Sequence, residues 1–278
     1  MRIAHPSDRT LPDHADALAA RLRPVAADAS THPLVTVLGE TASGEPLGLL
    51  WWPTPDDAAC VPVVAGCGPR LRWWSASPAS ALHRWLATED AAGRWHDGDA
   101  EDASRVGYRR GAAPAVGLDR YLALAKLDPW DASLARALRH VARGDALAAR
   151  VAGDRDAARA PEWGAALRTR WAVAVRLGDR DVAREAATAM MGLPLWTFEE
   201  DWASIARWSG WREPIDAAPY RRLAMDPTRP AADRAAWWLD VAAAEDAFPS
   251  DIRDVLRTCY LDVGLQGFAA FVGGETLP

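Results

Sequence analysis

The stretch "PEWGAALRTRWAVAVRLGDRDVAREAATAMMGLP", residues 161–194, decides the fold class of this chain. Its pattern predicts one helix over residues 161–179, with Pro161 in the first-turn position that proline favours. A second helix is predicted over residues 180–194, where glycine and proline end it. Because a short turn joins the two helices, we predict an antiparallel helical hairpin.

Helical patterns continue on both sides of this hairpin, from residue 115 to the end of the chain. Thr197 and Glu200 have the capping-box spacing at the start of a predicted helix over residues 197–211. Asp128 or Asp131 is expected to cap an earlier helix. We therefore predict an all-helical domain over residues 115–278, built as an array of antiparallel hairpins.

Residues 172–194, "AVAVRLGDRDVAREAATAMMGLP", resemble the middle and end of a tetratricopeptide unit. Gly178 and Asp179 stand at the turn between the helices, Ala183 is the small packing residue, and Pro194 is the terminator. The resemblance implies stacked helical hairpins. A solenoid of such hairpins would offer a concave surface for a peptide, and a compact bundle is equally compatible.

The letters "GDRD" recur at residues 153–156 and 178–181. Their spacing of 25 residues is shorter than the usual 34-residue tetratricopeptide period. We therefore expect stacked hairpins without assigning the chain to that family.

The N-terminal part has a different pattern. Short apolar and β-branched runs predict an antiparallel sheet, and we place the whole in a small α+β domain over residues 1–88. Residues 89–114 are first acidic and then basic, with four glycines, and they predict a linker or long loop. The expected fold class is α+β and predominantly helical. Three or four strands are predicted, with candidates at residues 33–40, 47–53, 60–66 and 70–76.

Composition limits the possible roles. A formal net charge of −6, with half of the residues apolar, is typical of a soluble globular protein and argues against nucleic acid as the main partner. The chain has no Asn, one Lys and one Gln, which points to a GC-rich bacterial genome. The N-terminus has no apolar signal region, and no stretch is long enough to span a bilayer. We expect a cytoplasmic bacterial protein that does not bind membranes.

Catalytic and metal-binding signatures are missing from the sequence. Cys60 and Cys67, with the downstream His83 and His96, fit no common zinc spacing. Neither a nucleophile elbow nor a glycine-rich phosphate loop is present. We expect no metal and no cofactor, and we favour a protein that is not an enzyme. For an enzyme, the acids and bases of first interest are His83, His96 and Glu245.

The chain has 15 tryptophans, several of them in doublets. Because neighbouring side chains of a strand point to opposite faces, only one ring of each N-terminal doublet should face the core. In the helical part, three tryptophans line one predicted helix flank, and an arginine pair follows. The candidate binding residues are Trp51, Trp52, Trp73, Trp74, Trp202, Trp208, Trp211, Arg221 and Arg222.

Together these features predict a non-catalytic, tryptophan-rich accessory protein of a bacterial pathway that binds a peptide or protein partner. Two routes are open: an exposed sheet edge that accepts a strand, or a helical groove lined by Trp and Arg. The alternative is an enzyme that acts on a small molecule in a pocket between the two domains. The oligomeric state is not specified by the sequence.

Overall fold

The computed structural model of the protein describes residues 12, 14–28, 30–52, 61–66, 68–198, 202–210 and 216–274. Over these residues the predicted α+β, predominantly helical class is confirmed, with a small N-terminal sheet followed by helices. The chain forms two compact units. Unit 1 takes in the described residues within Met1–Trp73, Pro194–Glu199 and Pro214–Pro278; unit 2 takes in those within Trp74–Leu193 and Glu200–Glu213.

The four strands lie in the sheet in chain order. The first pairs antiparallel with the second, and the second with the third. The register shifts between Val37 and Gly39, which marks a β-bulge. Gly48 is required in this ladder, because a Cβ there would meet Val35 Cγ1 at 2.3 Å. The strands are β1 (Val35–Glu40), β2 (Pro46–Leu50), β3 (Val63–Ala65) and β4 (Arg72–Ser75).

Besides the sheet, unit 1 contains helices from both ends of the chain. Trp196, in a 3-10 helix, is buried, and its carbonyl accepts a hydrogen bond from the Leu71 backbone N–H at 2.8 Å. The Arg70 side chain donates to the Ala243 carbonyl. These two hydrogen bonds connect the residues just before β4 to Trp196 and Ala243, which are far away in the sequence. The helices are α1 (Ala15–Ala19), the 3-10 helix (Leu195–Thr197), α11 (Ala217–Met225), α12 (Ala231–Glu245), α13 (Ile252–Asp262) and α14 (Gln266–Val272).

Unit 2 begins at Trp74, within β4, and continues with a group of helices. Ser77 caps the first of them by accepting a hydrogen bond from the Ser80 backbone N–H. The segment expected as a linker or long loop, residues 89–114, contains one complete helix and parts of two others. The division of the chain at that segment stays a prediction. The helices are α2 (Pro78–Ala91), α3 (Asp99–Arg105), α4 (Ala112–Val116) and α5 (Leu118–Leu124).

The rest of unit 2 is an array of helices, α6 (Trp130–Ala142), α7 (Ala146–Arg159), α8 (Gly164–Leu177), α9 (Arg180–Met191) and α10 (Trp202–Ser209). The first four form two successive hairpins. From α6 to α8, and from α7 to α9, the starting residues are 34 positions apart, which is the tetratricopeptide period. The shorter spacing of the "GDRD" letters therefore misses the structural repeat.

The turns of the two hairpins are alike. Gly144 and Gly178 both adopt a left-handed backbone, with φ of 77° and 74°. Each is followed by an aspartate, Asp145 or Asp179, whose side chain caps the next helix. The expected cap at Asp128 or Asp131 is wrong, because α6 has Pro129 at its N-cap without a side-chain hydrogen bond.

Small side chains let these helices approach closely. One core cluster consists of Ala137, Ala149, Ala152 and Val173. A Cβ on Gly153 of α7 would lie 2.9 Å from the Cα of Arg170 on α8. Alanine and glycine at the contacts thus set the spacing of the array.

Candidate functional site

The N-terminal tryptophan doublets follow the predicted alternation. Trp51 and Trp73 are each 7% exposed, whereas Trp52 and Trp74 are half-buried. The Trp51 indole N–H donates to Thr36 Oγ1 at 2.9 Å, so a polar partner stabilises its buried position.

The outward rings of both doublets have neighbours within their own unit. Trp52 lies 5.0 Å from Trp196 between ring centroids. The Arg84 guanidinium stands 4.5 Å over the Trp74 ring and donates to the Trp74 carbonyl. These rings are therefore partly covered, and neither doublet forms an open aromatic platform.

The candidate tryptophans of the helical part differ in what the structure describes. Trp211 lies outside the described residues, and of Trp202 only the backbone, at the start of α10, is described. Trp208 is 36% exposed, which is high for so large an apolar ring. Among the candidate tryptophans whose side chains the structure describes, Trp208 is therefore the most exposed.

The two arginines of the pair on α11 differ in their contacts. Arg221 forms an ion pair with Glu245 at 2.6 Å, and Arg222 is exposed. Glu245, which the sequence singles out for inspection as an acid, therefore has a cation beside it. Arg221 and Arg222 belong to unit 1, whereas Trp208 belongs to unit 2.

An open depression of about 390 Å³ surrounds Trp208 in unit 2. Its lining residues are Arg180 and Arg184 of α9 with Arg207 and Trp208 of α10. All three arginines are exposed, and none of the described lining residues is an acid. We call these four residues the basic–aromatic depression.

Two acids near this depression, Asp179 at the N-cap of α9 and Glu185 on α9, already have other partners. The Asp179 side chain accepts a hydrogen bond from the Val182 backbone N–H and lies 3.3 Å from Arg150. Glu185 lies 3.2 Å from Arg170. Among the residues that the structure describes, Arg180 and Arg184 form no ion pair. Their positive charge is therefore available to an external anion.

The sequence pattern points to Trp208 but not to the three arginines. The signal that could have found Arg180 and Arg184 is their spacing of four residues at the start of a helix. Like charges one turn apart repel each other, and cations at a helix N-terminus oppose the helix dipole. A pair that local helix electrostatics disfavours is a candidate for function.

The acids and bases considered for catalysis have structural contacts. His83 Nε2 lies 2.8 Å from the Tyr121 hydroxyl, and burial lowers the pKa of His83. His96 is exposed, and its backbone N–H donates to Asp99. Within the described part of the chain, no group of three or more His, Cys, Asp or Glu side chains is arranged to hold a metal ion. Cys60 and Cys67 lie outside the described residues.

Comparisons with known proteins bear on the helical array. Residues 130–212 match the model of a family described as the PAB middle domain, a stretch that covers α6 to α10 and contains the basic–aromatic depression. No curated protein and no solved structure matches the chain. Among the described residues, every helix is too short or too polar to cross a membrane. A binding role for the array is compatible with the family match.

Proposed function

We propose that this chain is a non-catalytic protein of the bacterial cytoplasm that binds a segment of a protein partner at the basic–aromatic depression. The observation that carries the proposal is an open depression lined by three exposed arginines and an exposed tryptophan. Arginine and tryptophan are the side chains that contribute most often to binding energy at protein interfaces. Identifying that segment would identify the partner protein and the pathway that the chain serves.

Of the two binding routes, the helical one has better support. At the edge strand β1, the backbone N–H and carbonyl of Glu40 are bonded to those of Arg23 at 2.9 Å. An incoming strand would find that end of the edge already paired. The depression on α9 and α10 has no such internal occupant among its described lining residues.

An array of short peptides of varied composition tests this function. We expect a subset to retain the wild-type chain and to lose it when Arg180→Glu and Arg184→Glu are combined. Arg120→Glu is the matched control, because Arg120 is an exposed arginine of the same unit on α5. Retention of no peptide, or retention that the double variant leaves unchanged, would contradict the proposal.

A further inference from the structure

The charge of the depression restricts what can occupy it. Arg180, Arg184 and Arg207 line one open volume of about 390 Å³ whose described lining contains no carboxylate, and Arg180 and Arg184, one helical turn apart, repel each other there. A neutral or basic segment would leave this repulsion in place. A segment with several carboxylates would relieve it, and each guanidinium offers a planar fork of donors that matches a carboxylate.

Two of the arginines also oppose the stability of their own helix. Arg180 is the first residue of α9, and Arg184 follows it by one turn. Arg180 lies at the positive end of the helix dipole, and Arg184, one turn further along, repels it. An anion bound between them would offset both effects, so the scaffold itself favours an acidic ligand.

Trp208 adds an apolar component to the depression. Its ring is 36% exposed beside the guanidinium groups. Covering an aromatic face with an apolar side chain removes surface from water and brings the neighbouring charges into a drier environment. The ligand should therefore carry an apolar residue next to its acids.

The surroundings favour an acidic peptide over a nucleic acid. Asp181 and Glu185 are exposed on the same helix as Arg180 and Arg184. Nucleic acid binding uses an extended basic surface that follows the phosphates, whereas here the basic residues are bordered by acids. A short acidic segment can contact the three arginines and avoid these acids.

From these contacts we infer that the ligand of this site is an acidic peptide segment in which several carboxylates contact Arg180, Arg184 and Arg207 and one apolar side chain covers Trp208. The inference rests on the proposed function and names the ligand class of the same site. It predicts binding that weakens as salt is added, with an apolar contribution that persists.

Fluorescence anisotropy with labelled probes tests the ligand class. The first probe is a short glutamate-rich peptide with one phenylalanine. The second has glutamine in place of every glutamate, and the third has alanine in place of phenylalanine. A single-stranded oligonucleotide of similar length is the fourth. We expect the first peptide to bind at least about tenfold more tightly than each of the other three, a difference of about 1.4 kcal/mol.

Variants locate the binding. Arg184→Glu should weaken binding of the first peptide by about tenfold, and Trp208→Ala should remove its advantage over the alanine peptide. Trp208→Phe keeps an aromatic ring and should retain that advantage, which separates a contact from a general loss of structure. Arg120→Glu should bind as the wild type does.

Equal binding of the glutamate and glutamine peptides would overturn the inference, as would tighter binding of the oligonucleotide. A wrong ligand class and a wrong proposed function would give different results. If the array finds peptides that need Arg180 and Arg184 but are not acidic, the ligand class is wrong and the proposed function stands. If no peptide binds at all, both fail.

Discussion

Asp240 accepts a hydrogen bond from the backbone N–H of Leu195 at 2.6 Å, within the interior of unit 1. Burial raises the pKa of Asp240 to about 7, and the hydrogen bond from Leu195 only partly opposes this. An unfolded aspartate titrates near 3.8. Because the folded state holds the proton more tightly, Asp240 contributes stability at low pH that is lost as pH rises from about 4 to about 7.

Asp240→Asn should therefore stabilise the protein above pH 7, because the amide oxygen keeps the bond to Leu195 without a buried charge. We expect a gain of about 2–4 kcal/mol at pH 8, which vanishes near pH 4. Urea unfolding at a series of pH values measures it. Parallel stability curves for the two proteins would show that Asp240 does not titrate as described.

His32 should give the opposite pH dependence. It is fully buried, its Nδ1 accepts from the Leu34 backbone N–H, and its ring lies 5.2 Å from that of Trp196. Burial, with a smaller effect from the charge of Arg253, lowers the pKa of His32 to about 3. Its contribution to stability is present above pH 6.5 and is lost as pH falls towards 3.

The replacement His32→Asn keeps an acceptor for Leu34 and removes this titration. The variant should be less stable than the wild type at pH 7, because the aromatic contact is lost, but the difference should shrink on acidification. The same denaturation series measures it. A difference that stays constant between pH 7 and pH 4 is the contrary result.

Asp128 joins three arginines inside unit 2. Its carboxylate is bonded to Arg136, lies 3.4 Å from Arg159 and 3.9 Å from Arg155, and is almost fully buried. Removing one member of a buried ionic group leaves the others without compensation, so Asp128→Ala should cost about 3–5 kcal/mol of unfolding free energy. Glu162→Ala, at an exposed acid of the same unit, is the control and should cost less than half as much. Similar losses of unfolding free energy in the two variants would show that Asp128 does not hold the arginine cluster together.

Gly153→Ala tests the close approach of α7 and α8. Alanine normally stabilises a helix relative to glycine by about 1 kcal/mol. Here the new Cβ would lie 2.9 Å from the Arg170 Cα, so we expect a net loss of about 1–3 kcal/mol. Gly98→Ala, where the added Cβ has open space, should be nearly neutral. A stabilised Gly153→Ala would contradict the close packing. Thermal unfolding measures both.

Elements with a strong local signal were predictable. The β-branched and apolar runs gave all four strands, and Ser77 caps α2 because its hydroxyl is well placed to accept from the first turn. The alternation that buries Trp73 and leaves Trp74 half-buried follows from the strand pleat alone. Features that depend on distant contacts were missed, such as the use of Asp128 in an arginine cluster rather than as a helix cap.

The site was partly predictable for the same reason. Trp208 stands out as a single residue, but its partners Arg180 and Arg184 come from another helix, and only packing of α9 against α10 brings them together. The 34-residue repeat was also hidden, because the four-letter recurrence "GDRD" has a different spacing, of 25 residues. In these two hairpins the starting positions of the helices repeat more regularly than the amino-acid sequence does.

Mapping a photo-cross-link tests the central claim most directly. The probe is the glutamate-rich peptide with benzoylphenylalanine in place of its phenylalanine, irradiated with the full chain, digested and sequenced by mass spectrometry. We expect the cross-links on residues 180–191 and 202–209, and we expect unlabelled glutamate-rich peptide to suppress them. Cross-links that fall mainly in unit 1, or that persist unchanged in the Arg180→Glu, Arg184→Glu double variant, would contradict binding at the basic–aromatic depression.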